Sequence, residues 1–578
     1  MRFVSRALLV VVLLFCGGAA ASAAPAAPGR PPKLIVILVV DQMRGDYIDR
    51  YAFQWTGGLH RLITEGAWFR RAAYPYLTTV TCVGHATIST GTFPRTHGMV
   101  GNGWFDRDLG RSVRCSEDPA ATTISYGDPI TGGDSPHRLL VPALSDELRS
   151  QLPGPTRVVT FSMKQRTAIM LGGRRADAVT WFSPAARGFA TSSAHTKAAV
   201  PFIAQALTDR PVSLDFGASW TRLLPAERYL FDDNGIGEKS SVGWTAEFPH
   251  VIKGSGGDQT DPSFYTAWET SPFSDAYLGR LAMASIDALK LGRGRGTDFL
   301  GISFTALDSV GHDFGPRSHE VQDVLARLDQ TIGQLLTHLD RTVGAGNYVV
   351  ALSADHGVSP IPEQVAAMGL PSGRLEIRAV TQAAQKALEA ALGPGTYPVR
   401  LSNSDLYLDP ATVDRLRRDP LALENVLRAA RAIPGVADAY FGEALDSHAA
   451  AGDHAARAAL MGYYPGRSGD LIVVPKPYWF YVGTDGGDAA SHGTLYDYDQ
   501  HVPVILFGQG IKRGEYLRAV TPADIAPTLA FLAGVTLPQP DGDMLIEAIA
   551  PAATQAPAHA PAPAPARTAA PGSAPVLR

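Results

Sequence analysis

Cysteine is scarce in this chain of 578 residues, which contains only three cysteines. A small disulfide scaffold and a zinc cluster built from cysteine ligands both need more, so the sequence excludes both. Cys16 lies in an N-terminal segment that we expect to be cleaved, which leaves Cys82 and Cys115 in the mature protein. In an oxidising compartment these two either form a disulfide or stay as free thiols, and the sequence leaves both alternatives open.

A strong charge of either sign is also absent, because the formal net charge is only −4. Nucleic-acid-binding proteins usually carry a strongly basic surface, so we expect no nucleic-acid partner, and there is no polybasic segment that would bind a membrane. A hydrophobic content of 45% and a charged content of 18% are typical of a globular protein with a large core.

Long apolar runs are missing except at the N-terminus. Arg2 and Arg6 precede an apolar stretch at residues 7–15, and Ala21-Ser22-Ala23 matches a signal-peptidase cleavage site. The apolar stretch is short for a membrane-spanning helix. We therefore predict a cleaved signal peptide at residues 1–23, a periplasmic or secreted protein, and no stable membrane anchor.

Continuous apolar runs alternate with helical patterns along the rest of the chain. Such runs are typical of strands buried on both faces of a parallel sheet, and they occur at residues 33–40, 157–161, 299–304, 348–352 and 502–507. Residues 320–343 have the apolar spacing of an amphipathic helix. The alternation predicts an α/β fold with a doubly wound, mostly parallel sheet flanked by helices.

Composition also predicts how the chain is divided. A Pro/Ala linker at residues 24–32 precedes a main domain formed by residues 33–361 and 481–550. We expect an insertion at about 170–285, which is rich in turns and aromatics, and an inserted subdomain at residues 362–480. Residues 551–578 are rich in proline and alanine and are predicted to be a disordered tail.

Three aspartates follow predicted strands. Asp41 comes directly after the first strand, and Asp308 and Asp355 follow two others within a few residues. Ligands of open α/β sheets bind at the carboxyl ends of the strands, so we expect these acids to meet in one crevice. Each acid taken alone would be read as an ordinary turn or helix-capping residue.

Three histidines accompany these acids. His312 lies four residues after Asp308, which places both on one face of a helix, and His356 directly follows Asp355. His492 lies in the segment SHGTLYDYDQH, where a plain loop histidine is the alternative reading. Histidine and carboxylate without cysteine suit catalytic zinc, and two neighbouring metal ions suit displacement at phosphorus.

A candidate nucleophile stands at a predicted helix start. Thr81 would face the free N–H groups and positive dipole end of that helix, which favour an anion, although a plain N-cap role is the alternative. Cys82 is a competing nucleophile. The Cys-x-Pro-x-Arg pattern of sulfatases is not matched, because Gly84 and Ala86 occupy the proline and arginine places.

Three further side chains can bind phosphate oxygens. Asn102 lies in a glycine-rich turn, where it either donates to a phosphoryl oxygen or supports the turn. Lys164 and Arg166 follow the strand at 157–161 and form either an oxygen clamp or a surface basic pair.

Taken together, these segments resemble a known family. The motifs VVDQMRGDY, TCVGHATISTGTFPRTHGMVGNGWFD, SMKQR, ALDSVGHDFGP, SADHG, RSGDLIVVPKPYWF and SHGTLYDYDQHVPVILFG are spread over residues 33–535. On these motifs the chain resembles the alkaline phosphatase superfamily, and it is most similar to the periplasmic, zinc-dependent PafA-type enzymes with a threonine nucleophile.

The resemblance implies two Zn²⁺ sites and a role for each candidate residue. One zinc would be held by Asp308, His312 and His492, and the other by Asp41, Asp355 and His356 with Thr81 as nucleophilic ligand. Asn102, Lys164 and Arg166 would contact the phosphoryl oxygens. The expected activity is that of an alkaline phosphatase that hydrolyses small-molecule phosphate monoesters through a phosphothreonine intermediate, with side activity on diesters, and we expect a monomer.

Two alternative functions compete with this one. A phosphodiesterase or nucleotide pyrophosphatase of the same superfamily is disfavoured, because the resemblance associates Lys164 and Arg166 with monoesterases. A non-catalytic periplasmic protein that binds metal or phosphate would lack the nucleophile or a ligand, and this chain has residues of the expected type at all ten positions.

Overall fold

The computed structural model describes residues 30–551 except 257, 259, 260 and 484–486. The predicted signal peptide, residues 24–29 of the predicted linker and the predicted tail after residue 551 lie outside the described residues. No helix in the described part of the chain is both long enough and apolar enough to cross a membrane.

The strands of the described residues form one large sheet and several small ones. In chain order they are β1 Leu34–Val40, β2 Ala67–Ala72, β3 Gly103–Asp106, β4 Arg111–Arg114, β5 Thr123–Ser125, β6 Val158–Ser162, β7 Ala178–Ser183, β8 Gly188–Ser192, β9 Ser219–Trp220, β10 His250–Val251, β11 Asp298–Phe304, β12 Tyr348–Ser353, β13 Gly373–Glu376, β14 Val399–Ser402, β15 Asp405–Leu408, β16 Val436–Phe441, β17 Leu471–Pro475, β18 Trp479–Val482, β19 Val504–Gly508 and β20 Gly514–Val520.

The α-helices alternate with these strands. They are α1 Tyr47–Arg50, α2 Gly58–Glu65, α3 Thr81–Thr90, α4 Pro94–His97, α5 Leu144–Gln151, α6 Gln165–Gly172, α7 Pro201–Asp209, α8 Pro262–Glu269, α9 Pro272–Leu289, α10 Ala306–Phe314, α11 His319–Leu339, α12 Pro362–Ala367, α13 Ile377–Leu392, α14 Pro410–Arg418, α15 Pro420–Arg431, α16 Leu445–Ala450, α17 His454–Gly462, α18 Asp497–Gln500 and α19 Ile525–Ala533.

The central sheet has ten strands in the order β20-β2-β19-β12-β1-β11-β6-β7-β8-β5. Strands β12, β1, β11, β6 and β7 are parallel neighbours, whereas β19 and β8 run antiparallel to the strands beside them. The predicted doubly wound, mostly parallel sheet is therefore confirmed. The run at residues 502–507 is a strand, but it runs against its neighbours.

Both faces of the sheet are covered, as the continuous apolar runs predict. Successive side chains of a strand point to opposite faces. Leu34, Val36 and Leu38 accordingly belong to a core with residues of α9 and α11, whereas Ile35 and Ile37 belong to a second core with residues of α3, α6 and α19. All seven residues of β1 are buried, which places this strand at the centre of the fold.

The predicted insertion at about 170–285 and the predicted inserted subdomain at 362–480 differ in how they relate to the central sheet. Within residues 170–285, strands β7 and β8 extend the central sheet, and the small β9–β10 sheet and helices α7 to α9 follow. Within residues 362–480 lies a separate four-stranded sheet in the order β14-β15-β17-β16, which has its own hydrophobic core with α13, α14 and α15. The structure thus places the first part of residues 170–285 in the main sheet, because the apolar residues of β7 are buried against it.

Candidate active site

The carboxyl ends of four adjacent strands, β12, β1, β11 and β6, meet at one crevice. Asp41 follows β1, and its backbone N–H donates to Phe304 O at the end of β11 over 2.9 Å. Asp308 lies in the first turn of α10, just after β11, and Asp355 follows β12. Lys164 lies between β6 and α6. The structure therefore brings these four side chains together, as the strand-end argument predicts.

Lys164 lies between two of the carboxylates. Its Nζ donates to Asp41 Oδ2 over 2.7 Å and also contacts Asp308 Oδ2. Asp41 is fully buried and Asp308 is only 4% exposed. The ammonium group thus joins one acid from each of the two predicted zinc sites.

The electrostatics of the crevice favour added positive charge. Burial, together with the charges of Asp308 and Asp355, raises the pKa of Asp41 well above its usual range. For Asp308, burial acts in the same direction, but Lys164 and His312 outweigh it and hold its pKa well below the usual value. Burial lowers the pKa of Lys164, yet the two carboxylates outweigh burial and raise it overall. The raised pKa of Asp41 therefore shows that its negative charge is under-compensated in this crevice.

The three histidines share one hydrogen-bonding arrangement. His312 Nδ1 lies 2.9 Å from Ala490 O, His356 Nδ1 lies 2.9 Å from Gly357 O, and His492 Nδ1 lies 2.9 Å from Thr79 O. A carbonyl only accepts, so each Nδ1 donates its proton, and in the neutral imidazole Nε2 then carries the lone pair.

The free nitrogens face the carboxylates. His312 Nε2 is 3.4 Å from Asp308 Oδ1, His356 Nε2 is 3.5 Å from oxygens of both Asp41 and Asp355, and His492 Nε2 is 3.8 Å from Asp308 Oδ1. This is the donor set and tautomer that catalytic zinc uses.

Two compact groups of donor atoms could each hold a metal ion. One consists of Asp41, Asp355 and His356, and the other of Asp308, His356 and His492. The first is the predicted set. The second contains His356 where the resemblance implies His312, and the rings of His356 and His492 stack with centroids 3.5 Å apart. Among the described residues, the buried atom Asp41 Oδ1 has no hydrogen-bond partner, which fits a cation ligand.

Helix α3 carries the candidate nucleophile toward these groups. Val80 occupies the N-cap position, so Thr81 does not cap the helix, and its Oγ1 lies 3.4 Å from His356 Nε2 and 3.5 Å from Arg166 Nη2. Asn102 instead satisfies the first turn of the helix, because its Oδ1 accepts the Cys82 N–H over 2.8 Å. Asn102 thus lies next to Thr81, and its side-chain amino group is left as a donor.

Two supporting residues are not apparent from motif reasoning. Gln42 donates from Nε2 to Asp308 Oδ1 over 2.8 Å and from its backbone N to Asp355 Oδ1 over 3.1 Å. His85 Nδ1 lies 3.2 Å from Asp355 Oδ2. Partners of this kind orient metal ligands. The available signals were the position of Gln42 directly after Asp41 and the i, i+4 spacing of Thr81 and His85 on one helix.

The two cysteines of the described residues are joined. Cys82 and Cys115 form a disulfide, which selects the first of the two alternatives that the sequence leaves open. Both residues are fully buried. Because the sulfur of Cys82 is bonded, it is not available as a nucleophile in this structure.

Comparisons with known proteins agree with this architecture. A family model described as type I phosphodiesterase / nucleotide pyrophosphatase matches residues 35–499. The alkaline phosphatase PhoV of Synechococcus elongatus is 31% identical over 516 residues, which cover 88% of this chain and 90% of that protein. The alkaline phosphatase PafA of Elizabethkingia meningoseptica is 30% identical over 529 residues, which cover 87% and 91%.

The fold is also similar to a solved structure of wild-type PafA. The two superpose with a TM-score of 0.81 and 28% identity, over 90% of this chain and 99% of the other. A solved structure of PafA with four substituted residues matches with the same values.

Proposed function

The chain belongs to the type I phosphodiesterase / nucleotide pyrophosphatase family and is a phosphoesterase of the alkaline phosphatase superfamily; from that premise we propose that it is a zinc-dependent phosphomonoesterase with Thr81 as its nucleophile. One observation carries the proposal. The Thr81 hydroxyl lies at the start of α3 without capping it, and it is within 3.5 Å of both His356 Nε2 and Arg166 Nη2.

The reaction begins at the Thr81 hydroxyl. Its oxygen attacks phosphorus in line with the departing alcohol, which forms a phosphothreonine and releases the alcohol. One zinc ion held by Asp41, Asp355 and His356 and another held by Asp308, His312 and His492 would supply the positive charge that favours the threonine alkoxide and offsets charge on the leaving oxygen. Water then attacks the phosphothreonine, which releases inorganic phosphate and regenerates the threonine hydroxyl. Two successive displacements predict net retention at phosphorus.

Asn102, Lys164 and Arg166 meet the charge on the non-bridging oxygens. A phosphate monoester carries one more negative charge than a diester, so two cations beside the nucleophile favour the monoester. Lys164 is already held by Asp41 and Asp308, which fixes its ammonium group within the crevice.

The PafA variant supports a joint role for these four residues. It carries substitutions at a threonine, an asparagine, a lysine and an arginine, and the intervals between those positions equal the intervals between Thr81, Asn102, Lys164 and Arg166. We propose that the four residues act together on the phosphoryl group in this chain as well. We further propose that the mature protein is a periplasmic or secreted monomer that acts on small-molecule phosphate esters.

Substitution of the nucleophile tests the proposal. We expect Thr81→Ala to lower kcat by at least about 10³-fold, because no hydroxyl remains to form the covalent intermediate. Thr81→Ser keeps the hydroxyl and is the matched control. Zinc content is measured on both variants, since bound metal with lost turnover separates the nucleophile from the metal sites. Substantial turnover by a metal-loaded Thr81→Ala protein would refute the assignment.

Paired substrates test the preference for monoesters. We expect the double variant Lys164→Ala/Arg166→Ala to lose activity on an aryl phosphate monoester at least about tenfold more than on the matching diester, because the diester has less charge for the pair to offset. An equal loss on both substrates would instead favour a diesterase on the same scaffold.

A further inference from the structure

Asn102 is held from two sides by the two half-cystines. The backbone N–H of Cys82 donates to Asn102 Oδ1 over 2.8 Å, and the backbone N–H of Cys115 donates to Asn102 O over 3.0 Å. The disulfide joins the same two residues. Asn102 therefore sits inside a small ring closed by one covalent bond and two hydrogen bonds.

The disulfide connects two separate pieces of structure. Cys82 lies in the first turn of α3, next to Thr81, whereas Asn102 and Cys115 flank the β3–β4 hairpin. That hairpin forms its own two-stranded sheet and has no strand pairing with the central sheet that positions the other site residues. Trp104 and Val113 of the hairpin are buried in the same core as residues of α3, and the disulfide adds a covalent link between the hairpin and the helix that carries the proposed nucleophile.

We propose that the Cys82–Cys115 disulfide is a positioning element for phosphoryl transfer, which holds Asn102 against the first turn of α3 beside Thr81. This inference rests on the proposed function, because it gives Thr81 and Asn102 their roles in the reaction. The physical reason is geometric precision: a donor displaced by about 1 Å loses much of its effect on the transition state. In the proposal, the oxidised pair gives the competent geometry, and a protein without the bond is folded but slower.

A double-mutant cycle tests the proposal. In the wild-type background we expect Asn102→Ala to lower kcat/KM for a phosphate monoester by about 10²-fold, the effect of one oxyanion donor. We expect Cys82→Ala/Cys115→Ala to cost about tenfold by itself, because Asn102 is no longer held in place. In that background Asn102→Ala should then cost only about tenfold, because a disulfide that acts through Asn102 adds nothing to the total loss of about 10²-fold once Asn102 is gone.

Arg166→Ala is the matched control. Arg166 lies on α6, outside the disulfide ring, so its loss should cost the same factor with and without the disulfide. Circular dichroism and zinc content show whether each variant is folded and metal-loaded. A purely structural disulfide predicts the same Asn102→Ala factor in both backgrounds, and that result would overturn the proposal.

A wrong assignment of the proposed function would give a different result from a wrong role for the disulfide. If Asn102→Ala has no effect even in the wild-type background, the site assignment is wrong and not only the role of the disulfide. If the cysteine variant does not fold, wild-type and Asn102→Ala proteins are unfolded, reduced with a phosphine, which takes one oxygen from water and leaves two thiols, and refolded in the presence of the phosphine before the cycle is measured. Failure of these reduced proteins to refold would also overturn the proposal, because the bond would then maintain the fold.

Discussion

Gly84 offers a direct test of how the nucleophile is positioned. It lies in α3, three residues after Thr81, where the helix packs on the strand end that carries Asp355. A methyl group at Gly84 would lie 2.6 Å from the Cα and Cβ of Asp355 and closer still to its carbonyl oxygen. Helix propensity alone predicts that alanine stabilises this position by up to about 1 kcal/mol. The close contact with Asp355 predicts instead that alanine destabilises the protein at this position.

The size of the effect of Gly84→Ala on activity and stability follows from the distances. Two carbon atoms pack at about 3.5 Å or more, so Gly84→Ala must move α3 and the Asp355 segment apart by about 1 Å. Thr81 Oγ1 and His356 Nε2 are 3.4 Å apart across the same contact. A displacement of about 1 Å in a reacting geometry costs about 10²-fold in rate, and overpacking costs about 1–3 kcal/mol in stability. We therefore expect kcat/KM to fall about 10²-fold and the midpoint of thermal unfolding to fall.

A second helical glycine is the matched control for Gly84. A methyl group at Gly462, the last residue of α17, would lie 3.8 Å from Tyr76 Cβ, which is an ordinary contact. We expect Gly462→Ala to leave monoester hydrolysis unchanged and stability unchanged or slightly higher. If Gly84→Ala behaves in the same way, with kcat/KM within about threefold of wild type, the α3–Asp355 contact does not set the position of Thr81.

Three further predictions concern metal binding and pH. Gln42→Ala removes the donor to Asp308 Oδ1; we expect zinc affinity to fall about 10- to 100-fold, measured by chelator competition, with kcat recovered at saturating zinc. A chelator should abolish activity and added zinc should restore it, whereas persistent activity after complete zinc removal would contradict the metal assignment. Burial raises the pKa of Asp405 to about 7. The folded state therefore favours the protonated acid, and this stability is present below about pH 4 and lost as pH rises to about 7. Asp405→Asn has no acid to titrate at this position and should not lose this stability. The free energy of unfolding of Asp405→Asn minus that of wild type, measured by urea titration, should therefore increase by up to about 4 kcal/mol from about pH 4 to about pH 7. If the free energy of unfolding changes with pH in the same way for wild type and Asp405→Asn, a pKa of about 7 for Asp405 is wrong.

Much of the fold could be predicted because the central strands are apolar throughout. β1, β11 and β12 are buried along their whole length, and this pattern is typical of parallel strands covered by helices on both faces. The direction of β19 could not be predicted, since its first four residues are equally buried. The place of β7 in the sheet could not be predicted either, because its apolar run lies in a region rich in turns.

The convergence of the three acids could be predicted because one geometric rule applies to all of them. Asp41, Asp308 and Asp355 follow neighbouring parallel strands, so their convergence needs only the order of the sheet. Asn102 does not follow a strand of that sheet. Its contact with α3 depends on a hairpin and a disulfide, and neither the hairpin's position nor the cysteine pairing is encoded locally.

The orientation of the histidine rings could not be predicted from the sequence. A histidine next to an aspartate can present either ring nitrogen. Here the choice is made by carbonyls that in two cases are distant in sequence: Ala490 O is 178 residues from His312, and Thr79 O is 413 residues from His492. Each carbonyl accepts from Nδ1 and turns Nε2 toward an acid. A histidine serving only as packing has no need for that arrangement, and its occurrence at all three rings favours metal ligands over loop histidines, His492 included.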